Sequence, residues 1–441
     1  MRKKSVKILP CVLCVCLLYF IMPSIARGVR RVSPPEFESG YTFPQTRFPA
    51  PRKQWYDYID CFVLVCALLL AAYYVLKRRS RRGIFILMLF SLVYFGFWKK
   101  GCICSIGSIQ NIALALFNPS YSLPVTVLLF FILPLLSALF FGRVFCAAVC
   151  PIGAVQDCVV FRPVKVPPWA EHSLGMIPAI YLGIAVLYAA MGSHFLICRF
   201  DPVVSFFRLS GSFVMLFWSA LFLCVSMIIA RPYCRFLCPY GILLRWCSRL
   251  SKWHMRITPD ECIQCRLCEE SCPFGAIQKP SEESGGPGRE KLRRIVILSI
   301  AFPCIIVLGV CIGTITALPL SRLDARVRLA EQIWHEDADD SRAVTLESET
   351  FRSTGKSVTD LYQEALRIQK RFQVGGFMLG GFLGVIFGST LLFLSLGRRG
   401  NTYEPDRGLC LSCGRCFAYC PKEHVRIKEM REHNDRPIQN S

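Results

Sequence analysis

The chain has 441 residues, of which 53% are hydrophobic and 19% are charged, and its mean hydropathy is +0.42. So apolar a balance excludes a wholly soluble enzyme, which would lack polar surface, and it excludes a disordered chain. The formal net charge of +22 would suggest nucleic acid in a soluble protein, but here it marks the inside loops of a membrane protein. No nucleic-acid partner is therefore predicted.

Eight apolar segments are predicted to be membrane-spanning helices, and most have about the 20 residues that a span requires. They cover residues 8–26, 58–76, 84–98, 122–141, 176–197, 212–230, 295–318 and 374–396. The first follows several lysines and arginines, which fits either a cleaved signal peptide or an uncleaved anchor. We expect an α-helical polytopic membrane protein in contact with membrane lipid.

Positive charge predicts the orientation of these helices. The run from Lys77 to Arg82 holds five Lys and Arg residues between two apolar segments, which marks an inside loop. Both termini, 231–294 and 397–441 then lie on the cytoplasmic side. The loop 319–373 lies outside, and its helical spacing of apolar residues predicts a small amphipathic helical pair.

The strongest motif is a Cys-x2-Cys-x2-Cys-x3-Cys-Pro pattern that occurs twice. Its cysteines are Cys262, Cys265, Cys268 and Cys272 in the first copy, and Cys410, Cys413, Cys416 and Cys420 in the second. This is the spacing of bacterial ferredoxins, in which three thiolates in a tight loop and a fourth before proline hold [4Fe–4S] clusters. Two clusters are predicted.

The two copies look like halves of one ferredoxin. His254–Ile257 before the first motif and Ile277 after it fit short strands, and Val425–Ile427 follows the second motif in the corresponding place. Since the fourth cysteine of each ferredoxin motif binds the other cluster, the predicted ligand sets are crossed. One set is Cys262, Cys265, Cys268 and Cys420; the other is Cys410, Cys413, Cys416 and Cys272.

A second doubled motif is Cys-x3-Cys-Pro, at the predicted inside ends of two membrane helices. Its cysteines are Cys146, Cys150, Cys234 and Cys238. Thiols at positions i and i+4 share a helix face, so two pairs could supply four ligands to a third metal centre, either a cubane or a zinc ion. The alternative is that these cysteines only pack at helix-to-loop turns.

Three further cysteines fall on the predicted outer side. The segment Cys104–Gln110 is similar to Cys150–Gln156, with Cys102 two residues before it, and Cys198 ends the fifth apolar segment. These thiols could bind a metal or form a disulfide in an oxidising compartment. Their irregular spacing favours packing over either.

The motifs resemble those of the NapH/NosR-type membrane polyferredoxins. The resemblance rests on Gly142–Gly153, on Cys234 to Pro239 and on the ferredoxin motifs, and it extends from about Trp98 to Arg426. It implies a bacterial inner-membrane electron carrier between the quinone pool or cytoplasmic donors and a reductase system. Two features depart from the group: the segment 27–57 is too short for an outer flavin domain, and a membrane hairpin separates the ferredoxin halves.

The predicted organisation has five parts: a signal or anchor helix with an outer segment (1–57), a membrane bundle with the Cys-x3-Cys-Pro motifs (58–250), a ferredoxin-type segment (251–283), a membrane hairpin (284–400) and a second ferredoxin-type segment (401–430). The two ferredoxin-type segments form a small α+β module on the cytoplasmic face. The expected function is one-electron transfer to redox partner proteins or quinone, without a catalytic site. A redox- or iron-sensing membrane regulator is the alternative.

Overall fold

The computed structural model describes residues 54–101, 105–161, 163–208, 213–257, 262–280, 289–338, 344–396 and 402–434. The predicted first helix, 8–26, lies outside the described residues, as do Cys102 and Cys104. The described part is mostly helical, and its two strands have two residues each.

Five helices of the described part are long and apolar enough to span a membrane. They are Trp55–Lys77, Arg81–Trp98, Trp169–Ala190, Val296–Ser321 and Val358–Leu394. Each overlaps a predicted span, which supports a membrane protein. The predicted spans 122–141 and 212–230 form shorter apolar helices, Val125–Phe141 and Phe213–Ile228, so the number of eight spans remains a prediction.

The membrane bundle begins with two helices that both change to π-helical turns before they end. Helix α1 is Gln54–Ala72 with the π-helical turn Tyr73–Lys77, and α2 is Arg81–Ser91 with the π-helical turn Leu92–Trp98. Three apolar helices follow them in the bundle. They are α3 (Ser105–Phe117), α4 (Val125–Phe141) and α7 (Ile177–Ala190). The sequence did not predict α3, which packs against α4 and α7.

Two short helices start inside the bundle. Gly142, at φ 75°, ends α4, and a π-helical turn Phe145–Val149 leads to α5 (Pro151–Val159). Helix α12 (Pro239–Arg249) follows a similar turn, α11 (Pro232–Phe236). A proline occupies the first position of α5 and α12, where its missing N–H costs no helical hydrogen bond.

Both short helices return toward the ferredoxin segments. The Ser248 hydroxyl near the end of α12 donates to the Arg407 carbonyl, and Asp157 near the end of α5 lies 3.8 Å from Arg415. At 1.5 Å per residue, the 11 residues of α12 span about 16 Å between Cys238 and the end of the helix. The cysteines of both motifs follow the ends of the apolar helices Val125–Phe141 and Phe213–Ile228, where the sequence placed them, and their inside location stays a prediction.

The remaining bundle helices connect these elements. They are α6 (Pro168–Leu174), α8 (Leu196–Phe200), α9 (Pro202–Arg208) and α10 (Phe213–Ile228). Backbone N–H groups of Phe161 and Val164 donate to carbonyls at the end of α10, which fixes the loop between α5 and α6.

The hairpin consists of α14 (Arg289–Ser321) and α17 (Val358–Leu396), which pack closely through glycines. A Cβ at Gly313 would lie 2.1 Å from the Gly376 carbonyl oxygen, so any side chain there would push the helices apart. Between them, α15 (Ala325–Ala338) and α16 (Leu346–Ser353) form the predicted helical pair, and α15 packs on the first turns of α17.

The ferredoxin segments meet in one module. Strand β1 (Ile277–Gln278) pairs antiparallel with β2 (Glu404–Pro405), although the hairpin separates them in sequence. The short helices of the module are α13 (Leu267–Ser271), α18 (Arg415–Tyr419) and α19 (Pro421–Asn434). The strand expected at Val425–Ile427 is wrong, because α19 covers these residues. His254–Ile257 forms no strand either, since the Arg79 guanidinium donates hydrogen bonds to the carbonyls of Arg256 and Ile257.

Candidate iron–sulfur sites

The two ferredoxin loops have the same backbone shape. Residues just before and after the second cysteine are left-handed in both: Gln264 and Arg266 have φ 52° and 62°, and Ser412 and Gly414 have φ 52° and 76°. Non-glycine residues seldom adopt this conformation. Because this conformation recurs at matching positions, both loops make the same tight turn at their second cysteine.

One group of thiols, the distal set, brings together Cys262, Cys265, Cys268 and Cys420. All four line one cavity of about 20 Å³. Burial raises the pKa of the Cys268 thiol to about 11, and the thiols of Cys262, Cys265 and Cys420 add to the rise. The fourth cysteine of the second motif therefore lies with the first three of the first motif, as crossed ligation requires.

The other group, the proximal set, brings together Cys410, Cys413, Cys416 and Cys272. Burial raises the pKa of the Cys416 thiol, and so do the neighbouring thiols of Cys410, Cys413 and Cys272. The Cys410 thiol has its pKa raised to about 12 by burial, with Cys413 and Cys272 adding to it. This arrangement is the second crossed set.

Arginines of the bundle hold the proximal side of the module. Arg81 Nη1 donates to the Cys413 carbonyl over 2.5 Å, and Arg143 Nη1 donates to the Gly408 carbonyl over 3.3 Å. Arg235, paired with Glu171 at 2.8 Å, donates to the Phe274 carbonyl over 3.4 Å. The proximal set therefore faces the bundle.

The Cys-x3-Cys-Pro motifs form a third group, the deep site, of Cys146, Cys150, Cys234 and Cys238. The Cys238 thiol lies within electrostatic range of the other three. In each pair, the N–H of the second cysteine donates to the carbonyl five residues earlier. The Cys150 N–H donates to the Phe145 carbonyl over 2.9 Å, and the Cys238 N–H donates to the Tyr233 carbonyl over 2.8 Å. Cys150 and Cys238 then cap α5 and α12, whose positive ends favour an anionic ligand.

Two arginines contact both halves of the deep site, which are the pair Cys146 and Cys150 and the pair Cys234 and Cys238. Arg231 lies three residues before Cys234 but donates to the Cys146 carbonyl. Arg143 lies three residues before Cys146, and its guanidinium is 3.7 Å from the Cys146 thiol. It also lies close to the second half, because a Cβ at Gly241 would be 3.5 Å from Arg143 Nη2. A Cβ at Gly153 would lie 3.2 Å from Arg231 Nη1, so each of the two glycines lies close to a guanidinium.

A buried ion pair fixes one of these arginines. Arg231 is fully buried and forms a bidentate pair with Asp157, with Nε–Oδ1 and Nη2–Oδ2 distances of 3.0 and 2.7 Å. Gln156 completes the network: its Oε1 accepts from the Tyr233 N–H, and its Nε2 lies 3.4 Å from the Cys234 thiol. Sequence reasoning missed Arg231, Asp157 and Gln156, although Gln156 belongs to the segment that repeats at 104–110.

The donor set of the deep site fits an anionic cluster. Four thiols converge beside two buried guanidiniums and two helix N-termini, and Arg143 Nε is buried without a hydrogen-bond acceptor in the described part of the chain. No group of three or more His, Cys, Asp or Glu side chains among the described residues is spaced to hold a single metal ion. Four thiols can hold a cubane, in which each thiolate binds a different iron.

Comparison with known proteins gives independent evidence on these regions. One 4Fe-4S binding domain family matches residues 123–167 and 212–258, which contain the deep site, and another matches 255–278, which contains the first ferredoxin motif. The putative electron transport protein YccM of Escherichia coli strain K12 is 30% identical over 122 residues, which are 25% of this chain and 34% of YccM.

In these regions the chain is similar to membrane ferredoxin-type electron-transfer proteins. An uncharacterized protein of Methanocaldococcus jannaschii, MJ0749, is 36% identical over 67 residues, 15% of this chain and 27% of that protein. A second uncharacterized protein of the same organism, MJ0750, is 29% identical over 100 residues, which are 22% of this chain and 42% of that protein. The chain thus spans less than half the length of these relatives, and no solved structure matches it.

Proposed function

We propose that this protein carries single electrons from the cytoplasmic face into the interior of a bacterial inner membrane. Each [4Fe–4S] cluster, when bound, supplies a one-electron couple. The distal, proximal and deep thiol sets would hold three such clusters. The residues provide the ligands and the buried positive charge; among the described residues we assign no catalytic site.

The proximity of the deep site to the proximal set supports this proposal. Arg143 acts electrostatically on both Cys234 of the deep site and Cys410 of the proximal set. Arg231 does the same for Cys234 and Cys413. A cavity of about 30 Å³ is lined by Cys234 and Cys238 and by Phe274 and Leu409 of the module, so the deep site borders the module directly. The deep site therefore adjoins the proximal set, which shares the module with the distal set.

The test of the deep site is a fourfold replacement of Cys146, Cys150, Cys234 and Cys238 by alanine. We expect anaerobically purified protein to lose about four irons per chain and one reducible EPR signal, while the ferredoxin signals remain. A matched control replaces Cys224 and Cys311, exposed cysteines of α10 and α14, by alanine. Iron that stays at the wild-type value in the fourfold variant would limit the proposal to the two ferredoxin clusters.

A groove beside the deep site suits a quinone as the partner. It has a volume of about 850 Å³, within the range of small-molecule sites, and its lining is mostly apolar, with Arg367, Lys370 and Arg371 also contributing. One end reaches Leu243 and Trp246 of α12, the helix that starts at Cys238. A quinone in this groove would lie against the element that carries a deep-site ligand.

Filling the groove should block a quinone. Val186 of α7 lines it and Ile180 of the same helix is exposed elsewhere, so Val186→Trp and Ile180→Trp form a matched pair. We expect Val186→Trp to weaken binding of a short-chain quinone about tenfold, about 1.4 kcal/mol, because the indole takes its space. Titration by quenching of intrinsic fluorescence measures this. Equal affinities in both variants would exclude the groove as the quinone site.

A further inference from the structure

Arg245 is a cation at the border between the deep site and the ferredoxin module. It lines the cavity of about 30 Å³ that these two regions share, and its Nε is buried with no hydrogen-bond acceptor among the described residues. Two neighbouring arginines have carboxylate partners: Arg231 pairs with Asp157 at 2.7 Å and Arg235 pairs with Glu171 at 2.8 Å. Within the described ranges, Arg245 has no such partner.

Helix α12 places Arg245 on the same face as a ligand of the deep site. Cys238 caps this helix, and Gly241, Ile242 and Arg245 follow it at the spacing of one helix face. The Cα of Arg245 lies about 10 Å further along the helix axis than Cys238. Because long side chains of a helix lean toward its N-terminus, Arg245 reaches back and lines the same cavity as Cys238.

The same side chain also contacts the module next to the proximal set. A Cβ at Gly408 would lie 3.3 Å from Arg245 Cγ, and Gly408 stands two residues before Cys410. Phe274, which stands two residues after Cys272, lines the cavity together with Arg245. Arg245 therefore lies between ligands of the deep site and ligands of the proximal set.

A cation in this position needs a nearby anion. The pKa of Arg245 is lowered to about 10, first by burial and then by the positive charges of Arg249 and Arg143, whereas Asp406 and Glu171 raise it. Removing a charge from water without a close partner costs free energy. Thiolates are anions, so each neighbouring set carries negative charge once it binds a cubane. The two bound clusters would supply the anions that Arg245 needs.

We propose that Arg245 raises the reduction potentials of the deep and proximal centres and that the two clusters are its counter-ions. This role rests on the proposed function and assigns the tuning of its centres to one residue. A reduced cluster carries one more negative charge than an oxidised one, so a nearby cation favours the reduced form. A cation between two centres also weakens their mutual repulsion, so that both can be reduced at the same time.

The first test is a potentiometric titration of the full-length, anaerobically purified protein, followed by EPR. The deep and proximal signals are assigned by their loss in the fourfold deep-site variant and in Cys272→Ala. We expect Arg245→Met to make reduction of each about tenfold less favourable, a shift of about 59 mV for one electron. Arg245→Lys keeps the charge and should keep most of the potential. The matched control, Arg328→Met, changes an exposed arginine of α15 and should shift neither signal.

The second test measures stability without clusters. Once a chelator has removed the iron, Arg245 lacks its counter-ions, so Arg245→Met should raise the Tm of the cluster-free protein. In the loaded protein the same substitution should not raise the Tm, because there the charge is compensated. A side chain that served only in packing would lower the Tm of both forms when it is replaced.

Three results would overturn the proposal. Potentials in Arg245→Met equal to those of the control would show that the charge does not act on the centres, and a lowered Tm in the cluster-free variant would make Arg245 a packing residue. A cluster-free wild-type protein that chloride stabilises relative to acetate, when Arg245→Met is not stabilised, would make a free anion the counter-ion.

These outcomes are separable from failure of the proposed function. Unchanged iron in the fourfold deep-site variant would reject the deep centre, and the proximal signal would then decide the role of Arg245. Normal iron with unchanged potentials in Arg245→Met would reject this role alone. If Arg245→Met binds no iron, the comparison of cluster-free proteins decides in its place.

Discussion

Replacing Cys272 by alanine is expected to destroy the cluster whose other ligands are Cys410, Cys413 and Cys416, far away in the sequence. The physical reason is the proximal set, in which Cys272 lies with these three thiols. The variant should lose up to about four irons per chain and one EPR signal, and Cys420→Ala should remove the other ferredoxin signal.

The control for this experiment is a cysteine of the same region outside either set. Cys247, on α12, is half-buried and belongs to neither. Cys247→Ala should keep both signals. Deletion of 401–441 should leave no intact cubane at 262–272. If that deletion instead preserves a complete four-iron cluster there, each motif binds its own cluster and the crossed sets are wrong.

Arg231→Met is expected to destabilise the bundle strongly. It would leave the Asp157 carboxylate buried, with Arg415 at 3.8 Å in place of a bidentate partner. Breaking a buried pair in this way costs about 3–5 kcal/mol of the free energy of unfolding. Thermal unfolding in detergent, followed by size-exclusion chromatography, measures the change.

Two comparisons identify the cause. Arg322→Met removes an exposed pair with Glu331 and should cost less than about 1 kcal/mol. The double variant Arg231→Met with Asp157→Leu should recover much of the loss, because no unpaired charge remains. A double variant as unstable as Arg231→Met would mean that the guanidinium matters through its bonds to the Cys146 and Ala147 carbonyls.

The grouping of the ferredoxin-motif cysteines was predictable because it depends on local spacing. The eight cysteines follow from a doubled motif, and the crossed grouping follows from how such motifs pair. Strands were less predictable. Val425–Ile427 became helical because Pro421 starts a helix and Glu423, fully buried, forms an ion pair with Arg79 at 2.8 Å. That arginine comes from another region of the chain.

The burial of helices α5 and α12, which follow the Cys-x3-Cys-Pro motifs, was not predictable from hydropathy. Helices α5 and α12 have 9 and 11 residues and contain polar side chains such as Asp157 and Arg245, so they resemble surface helices in sequence. Their polar groups are tolerated in the bundle because Arg231 neutralises Asp157 and the module covers the helix ends. Helix α3 was missed for a similar reason: its 13 residues are too few for a span.

The pairing of β1 with β2 has a consequence for biosynthesis. Strand β1 leaves the ribosome before α14, and β2 leaves it only after α17. The two halves of the module can therefore meet only when the intervening hairpin has been inserted and has returned the chain to the side where it started. A nascent protein whose hairpin fails to insert would keep β2 away from β1, so iron loading would report on correct membrane integration.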